Sequence, residues 1–426
     1  MIMKNPRKAA AQALLEVEKA KAYSNIALNT VLKNSGLNGA DRALASAIFY
    51  GTLDRKITVD YVLSRFISTP LKKVAPYTLA VMRCAVYQIM FADKIPDSAA
   101  VNEAVELIKA SGESRNRGFV NAVLRNILRS GLSLPDDSSV KSLSVRYSCP
   151  EWIIKGFTDD YGTETAKALL EESLKPAPLT VRVNTLKTDA DSLKKKFSEA
   201  GISCASAGIG NALIINGGMD IASNDFYRQG LFYAEDAACQ TAVSLLAPKR
   251  GGRMLDMCAA PGGKSFTAAQ LMENEGEIVA CDLYEQRAGL IRKGAERLGI
   301  DIIKPLCADA SVYDAGLGKF DFILCDVPCS GLGVIRRKPE IKYKPETDFK
   351  ELCGIQYKIL QNARNYLSDG GRILYSTCTL RRDENENLVK RFLMEYNGYR
   401  KAYERTFMPH TDKTDGFYCA LIVKDK

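Results

Sequence analysis

Five apolar runs of strand length, Arg253–Met257, Glu277–Cys281, Ile302–Cys307, Phe320–Cys325 and Arg372–Ser376, alternate with helical stretches in the C-terminal part of this chain. Strands joined through helices need crossover connections, so the alternation predicts a mostly parallel, doubly wound sheet with its ligands beyond the carboxyl ends of the strands. Runs near Ala402–Thr406 and Tyr418–Val423 are expected to complete one edge. Four successive runs lead into an acid: Asp256, Asp282, Asp309 and Asp326. Each alone reads as a loop cap. Together, along one crevice, they favour an adenosyl ligand, with Asp282, 26 residues beyond Asp256, placed to accept the two hydroxyls of a ribose.

The first run continues into LDMCAAPGGKS, Leu255–Ser265, ahead of the apolar helical stretch Phe266–Met272. Small residues and glycines let a backbone come close to a ligand at a helix N-terminus. The dinucleotide pattern GxGxxG is absent, and a Walker A loop would need glycine where Cys258 stands ahead of Gly263, Lys264 and Ser265. An ATPase is therefore disfavoured.

At 426 residues the chain is long enough for two or three cores. Up to about Gly131 the periodicity is helical: Val101, Val105 and Ile108 share a face, as do Val120, Val123, Leu124, Ile127 and Leu128. Ser98 is the expected N-cap of one helix, and Gly36, Gly112 and Gly131 stand where helices should end, giving an all-α bundle of six or seven helices. A polar stretch, Leu132–Ser142, reads as a linker. Beyond it come helices near Glu151–Tyr161, Thr163–Ser173 and Ala190–Ala200, with strands at Leu179–Val183 and Ala212–Ile215, a small α+β module.

The division expected is thus 1–135, 143–235 and 236–426. Residues 1–140 hold 19 Lys and Arg against 12 Asp and Glu, most of the chain's surplus of +9. That asymmetry suits phosphate-backbone binding by the front domain. No apolar run approaches the length of a membrane span and no signal-peptide stretch opens the chain, so a cytoplasmic protein is expected. The 12 cysteines are scattered, with no CxxC pair, and read as reduced thiols without a metal.

Three further segments, DMCAAPGGK (Asp256–Lys264), DVPCSGLGVIRRKPEIK (Asp326–Lys342) and YSTCTL (Tyr375–Leu380), resemble the signature motifs of the Sun/Fmu, or RsmB-type, 16S ribosomal RNA cytosine-5 methyltransferases. The front segments Asn5–Val17, Asp41–Arg55 and Phe119–Ile127 are similar to a NusB-like RNA-binding domain. RYSCPEW (Arg146–Trp152) and VRVNTLK (Val181–Lys187) look like the family's pre-catalytic segment, which usually has His where Cys149 stands. The resemblance implies a multidomain chain: an all-α NusB-like bundle, a small α+β RNA-binding module and an α/β Rossmann-like S-adenosylmethionine-dependent methyltransferase domain. It also implies that Cys258, Ala259, Ala260, Pro261, Gly262, Gly263, Lys264, Asp282, Arg287, Asp309 and Asp326 line the S-adenosylmethionine site. Small-subunit ribosomal RNA is the implied partner of a monomeric enzyme, with transfer RNA as the nearest alternative substrate. A non-catalytic RNA-binding, antitermination-type factor is the rival of another class.

Carbon 5 of cytosine is a poor nucleophile until a thiolate adds to carbon 6, so such an enzyme needs covalent catalysis. Cys329 follows the fourth run and Cys378 the fifth; neighbouring parallel strands lie ~4.8 Å apart, so both thiols can open onto one pocket. Cys84, Cys239 and Cys325 read instead as buried packing residues. Spacing does not say which thiol attacks. DNA cytosine methyltransferases use the Cys of a Pro-Cys pair, which would select Cys329, whereas the RNA family resembled here uses the Thr-Cys position. The resemblance thus implies Cys378 as nucleophile, Cys329 as the group assisting product release and Asp326 as the partner of the base. Lys264 is expected to lower a thiol pKa by its charge. Arg336, Arg337, Lys338, Lys342 and Lys344 form a basic segment expected to touch phosphate. His410, the sole histidine, lies far from both cysteines in sequence and gives little support to a Cys-His dyad.

Overall fold

A computed structural model describes residues 5–20, 24–131 and 133–424. The chain divides into two compact units, one of residues 1–175 with 335–344, the other of 176–334 with 345–426.

In the first unit seven helices, Pro6–Ala20, Ser24–Lys33, Gly39–Asp54, Lys56–Phe66, Pro76–Phe91, Asp97–Lys109 and Arg117–Ser130, surround one apolar core. Pro76–Phe91 is its axis, with ten of its residues from Thr78 to Gln88 buried. Gly51 explains how closely Gly39–Asp54 lies against that axis, since a Cβ there would fall 2.0 Å from the Tyr87 ring. Arg83 is enclosed among apolar neighbours and is neutralised by Asp60 and Glu18, each at 2.6 Å.

The helical faces expected from periodicity are buried, Val105 and Leu128 only partly. Gly131 caps its helix at φ +68°, but the helix expected to start at Ser98 is capped by Pro96 and begins at Asp97, leaving Ser98 inside the first turn. Pro96 already sets the extended entry that an N-cap needs.

Helices Val140–Tyr147, Glu151–Tyr161 and Thr163–Ser173 belong to this same unit; the sequence reading placed the last two in the α+β module and gave no helix at Val140–Tyr147, which starts within the expected linker. Two bonds tie them to the bundle: Ile57 N–H to Ser148 Oγ at 3.0 Å and Thr58 Oγ–H to the Val145 carbonyl at 2.5 Å.

The second unit contains two sheets. The smaller is antiparallel, in the order β2 (Cys204–Ser206), β3 (Ala212–Ile215), β1 (Leu179–Val183), β4 (Phe232–Ala234), packed on Leu193 and Phe197 of helix Ala190–Glu199. The larger runs β10 (Tyr399–Phe407), β11 (Phe417–Lys424), β9 (Leu367–Thr377), β8 (Phe320–Asp326), β5 (Arg253–Asp256), β6 (Glu277–Asp282), β7 (Ile303–Cys307). Strands β5 to β9 are parallel; β11 and β10 add an antiparallel edge.

Helices Ala237–Leu246, Gly263–Leu271 and Glu285–Leu298 cover one face, and Thr347–Tyr366 and Glu386–Glu395 the other. The chain goes outward from β5 through β6 to β7, then returns to place β8 on β5's other side, which makes the β5–β8 junction the switch point where a crevice opens.

Candidate active site at the switch point

Everything at the site follows from where strands stop. Strand β5 ends in Asp256, whose side chain is enclosed: Oδ2 accepts a 2.6 Å bond from Ser265 Oγ, and Oδ1 is buried without a partner. Burial, only partly offset by Ser265, pushes the Asp256 carboxyl up to about 7. Between Asp256 and Ser265 the loop folds back on itself, Ala259 N–H reaching the Cys281 carbonyl at 2.7 Å and Gly262 N–H the Ala259 carbonyl at 2.7 Å; the Ala260–Pro261 bond is cis. Gly262 has φ +113°, and a Cβ there would lie 2.4 Å from the Phe266 ring. Only glycine fits that turn, which delivers Gly263 to the first position of the next helix. Cys258 packs partly against the core, and burial pushes its thiol well above the usual range.

Lys264 sits on the first turn of that helix and pairs with Asp326 at the end of β8, Nζ to Oδ2 2.8 Å. Burial alone would strip its proton, but Asp326 outweighs it and Cys239 and Glu235 add to the effect, so Lys264 is held firmly protonated. Its charge thus answers the Asp326 carboxylate. Asp326 also accepts from Ser376 Oγ on β9 at 2.9 Å.

Along the same edge, Asp282 ends β6 nearly buried, accepting Tyr284 N–H at 3.2 Å, with Arg287 Nη2 3.5 Å away. Arg287 also donates to the Ala260 carbonyl at 2.9 Å, so it links the glycine loop to Asp282. Asp309, after β7, is exposed and caps its own turn through Ser311 N–H (2.8 Å) and Oγ–H (2.7 Å).

The two thiols meet. Cys329, three residues past the end of β8, and Cys378, directly past β9, have sulfurs 3.3 Å apart. Strands β8 and β9 are adjacent and in register, Asp326 facing Ser376, so the loops that leave them must run side by side. The hydrogen bond to Cys378, then burial, then the charges of Cys378, Glu384 and Asp326 push the Cys329 thiol well above the usual range. Cys84 and Cys325 are buried packing residues, as read from sequence, whereas Cys239, read the same way, is only partly buried.

Two cations of the expected basic segment have other tasks. Lys342 is 1 % exposed, with Nζ 2.7 Å from Asp54 Oδ1 and 2.8 Å from the Asp54 carbonyl. Arg336 is 3 % exposed and pairs with Glu172 at 3.4 Å. Both partners lie in the first unit, to which residues 335–344 belong, so these charges anchor the segment.

Three residues not singled out from the sequence also shape the site. Glu384 and Asn385 bind the thiol loops, and Glu235, buried beside Gly263, accepts from Thr267 while its Oε1 has no partner. The only sequence signal for Glu384 and Glu235 was acidity at positions outside any recognised strand end, and Asn385 had none.

A doubly wound sheet with a glycine loop at its switch point and acids along its carboxyl edge defines a Rossmann-like methyltransferase domain, and known proteins agree. Residues 243–423 match the family described as 16S rRNA methyltransferase RsmB/F, residues 4–129 the NusB family, and residues 149–222 the ferredoxin-like domain of RsmF/B-like methyltransferases. The chain belongs to the RsmB/F family of 16S rRNA methyltransferases.

It is 36% identical to the "Probable ribosomal RNA small subunit methyltransferase B" of Bacillus subtilis (strain 168), over 97% of this chain and 98% of that one. It is 33% identical to the ribosomal RNA small subunit methyltransferase B of Vibrio vulnificus (strain YJ016), over 99% of each. Among solved structures, PH0851 shares the fold over 99% of both chains (TM-score 0.85, 24% identity). A methyltransferase homolog protein from Pyrococcus horikoshii matches 68% of this chain and 100% of its own (TM-score 0.61, 27% identity). Among the described residues no helix is long and apolar enough to cross a membrane, and no group of three or more His, Cys, Asp or Glu could hold a metal ion.

Proposed function

We propose that this protein transfers a methyl group from S-adenosylmethionine to carbon 5 of a specific cytosine in 16S ribosomal RNA, through a covalent bond between Cys378 and the base. The observation that carries this reading is the pair of thiols 3.3 Å apart beside Asp326. Methylation of an exocyclic nitrogen or a ribose hydroxyl needs no thiol, whereas carbon 5 needs a nucleophile and a second group to finish the reaction.

The residues present fit the cofactor. Asp282 offers a carboxylate to a ribose, and Leu283, Tyr284, Val312 and Tyr313 leave apolar surface exposed next in sequence to the acids that end β6 and follow β7. Cys258 to Lys264, Asp282, Arg287, Asp309 and Asp326 would hold it. When bound, S-adenosylmethionine supplies an electrophilic methyl group.

The protein's part begins with Cys378. The two thiols share one hydrogen bond, and the family resemblance gives the attack to Cys378, which loses its proton to solvent and adds as thiolate to carbon 6 of the cytosine. Asp326, fixed by Lys264 and Ser376, accepts from the base edge and stabilises positive charge as N3 is protonated. Carbon 5 then has enamine character and takes the methyl group. Once Cys378 is bonded to carbon it no longer accepts the hydrogen bond that heads the causes of Cys329's proton retention. Cys329 can then lose its proton to solvent and, as thiolate, remove the proton from carbon 5; the electron pair released expels Cys378. The target base is stacked in folded RNA and must be flipped out or lie in a loop.

The test incubates the protein with labelled S-adenosylmethionine and 16S or transfer RNA, then analyses the nucleosides. Labelled 5-methylcytidine in 16S RNA is expected. Label in transfer RNA alone would move the substrate, and no label in either would leave a non-catalytic RNA-binding factor.

A further inference from the structure

We propose that Glu384 is a positioning residue for methyl transfer, a buried carboxylate that fastens the Cys329 loop to the Cys378 loop and so sets the distance between their sulfurs. Its side chain is 2 % exposed and lies on the short 3₁₀ turn Arg382–Glu384 after β9. Its three donors are few in kind and telling in place. Ser330, the residue after Cys329, donates N–H at 2.8 Å and Oγ–H at 2.5 Å. Thr379, the residue after Cys378, approaches through Oγ1 at 3.4 Å. Gln356 donates from Nε2 at 2.9 Å, and the same amide reaches the Pro328 carbonyl, on the other side of Cys329, at 2.9 Å.

With the Ser330 proton directed at Glu384, Thr379 is the donor in the 2.7 Å contact between the two hydroxyls. The two thiol loops are therefore tied to each other directly and through one carboxylate. Asn385 completes the bracket around Cys378, accepting from Thr377 Oγ at 2.6 Å and donating to the Thr379 carbonyl at 3.0 Å, while Tyr375 OH fixes the Glu384 carbonyl at 2.7 Å.

Burying a carboxylate is unfavourable unless donors converge on it, and an apolar side chain would fill the space at less cost. Here every donor belongs to a thiol loop or to the glutamine that buttresses one. The loops leave adjacent strands but diverge in sequence, Pro-Cys-Ser on one side and Thr-Cys-Thr on the other, and beyond Val327 and Ser376 the regular ladder is reduced to one backbone bond between them, Gly333 N–H to the Cys378 carbonyl at 3.0 Å. The side-chain clamp takes over where the ladder stops. The charge of Glu384 also acts in the same sense as Cys378 and Asp326 on the Cys329 proton.

This inference rests on the cysteine mechanism proposed above, and its test separates the two. The rate of Cys329–Cys378 disulfide formation by the azo oxidant diamide, which is reduced to its hydrazine as the two thiols are oxidised, reads the sulfur–sulfur geometry without any RNA. It is measured by peptide mass spectrometry in wild type, Glu384→Ala, Glu384→Gln and Ser330→Ala, together with kcat, KM and S-adenosylmethionine affinity.

In Glu384→Ala a loss of about a hundredfold in kcat is expected, the scale of an ångström of misplacement, with KM and cofactor affinity within about twofold and disulfide formation slowed about tenfold. Ser330→Ala should show the same pattern more weakly. Glu384→Gln should recover most of both rates, because its oxygen still accepts Ser330 N–H and its amide donates to Ser330 Oγ. Wild-type disulfide formation in Glu384→Ala would overturn the proposal, as would a glutamine variant no better than alanine. Should Glu384→Ala lose cofactor binding through misfolding, wild-type rates in Ser330→Ala overturn it. A wild-type protein that makes no 5-methylcytidine refutes the cysteine mechanism, while the disulfide rates still read the clamp.

Discussion

Replacing Lys342 by alanine should destabilise the first unit without weakening RNA binding. Lys342 enters that unit on a ten-residue segment from the C-terminal half of the sequence, and its ammonium donates to both the carboxylate and the carbonyl of Asp54 while only 1 % exposed. Tyr343 OH adds a 2.7 Å bond to the Leu53 carbonyl next door. Removing one partner of a buried pair costs about 3–5 kcal/mol, because the other is left enclosed and unanswered. Asp54 keeps 21% of its side-chain surface, so water relieves part of the cost and about 3 kcal/mol is the better figure.

With a urea slope of about 2 kcal/mol/M, the midpoint should fall by about 1.5 M. The sole tryptophan, Trp152, lies in this unit and reports the transition by its fluorescence. A variant carrying Lys342→Met with Asp54→Ala should regain most of the loss, since neither charge is then stranded. An unchanged midpoint in Lys342→Ala would refute the reasoning. Affinity for RNA that drops with a salt slope lower by about one charge would return Lys342 to the phosphate role that the sequence suggested.

Three further outcomes are expected. Asp282→Ala should weaken S-adenosylmethionine binding by about 1.5–3 kcal/mol in titration calorimetry, and an unchanged Kd removes Asp282 from the site. Asp256 is held at about 7 against an ordinary value of 3.8, so the folded state retains its proton more strongly than the unfolded one. The cost of ionising it is absent below its unfolded value and grows up to about pH 7; stability should decline across that window, and Asp256→Asn should flatten the decline in pH-dependent unfolding. Cys378→Ser should form no adduct with RNA, whereas Cys329→Ser should attack and stall, leaving a protein–RNA band on a denaturing gel; an adduct in Cys378→Ser would exchange the roles.

What could be read from sequence was what repeats or alternates. The five parallel strands announced themselves as apolar runs, four of them leading into an acid, and the bundle as faces at helical spacing. Strands β2 and β4, three residues each, carry too little alternation to register, and β9 begins at Leu367, ahead of Arg372, because Gly370 and Gly371 interrupt the apolar pattern without ending the strand. The burial of Lys342 and Arg336 was illegible for another reason: a basic run looks solvated unless its partners are known, and Asp54 and Glu172 lie 288 and 164 residues away. Glu384 escaped likewise. A carboxylate six residues after a cysteine has no pattern of its own, and its role exists only because β8 and β9 are neighbours.

That adjacency also explains why the chemistry needs this fold. Parallel strands put every carboxyl end on one edge, so the sheet order β6, β5, β8, β9 becomes an order in space: Asp282, then the glycine loop, then Asp326, then the thiols. The reaction proposed above would need a ribose, a methyl donor, a base edge and a nucleophile in that same sequence. Lys264 joins the second and third positions through its bond to Asp326, and Ser376 joins the third to β9. Beyond that point the Gly333 N–H bond to the Cys378 carbonyl and side chains hold the thiol loops, and it is there that the buried carboxylate of Glu384 is found. A substitution that shifts β8 against β9, such as one filling the close approach of Gly333 to Gly416, should therefore disturb the thiols before it disturbs the cofactor edge; a Cβ on Gly333 would lie 2.0 Å from the Gly416 carbonyl oxygen.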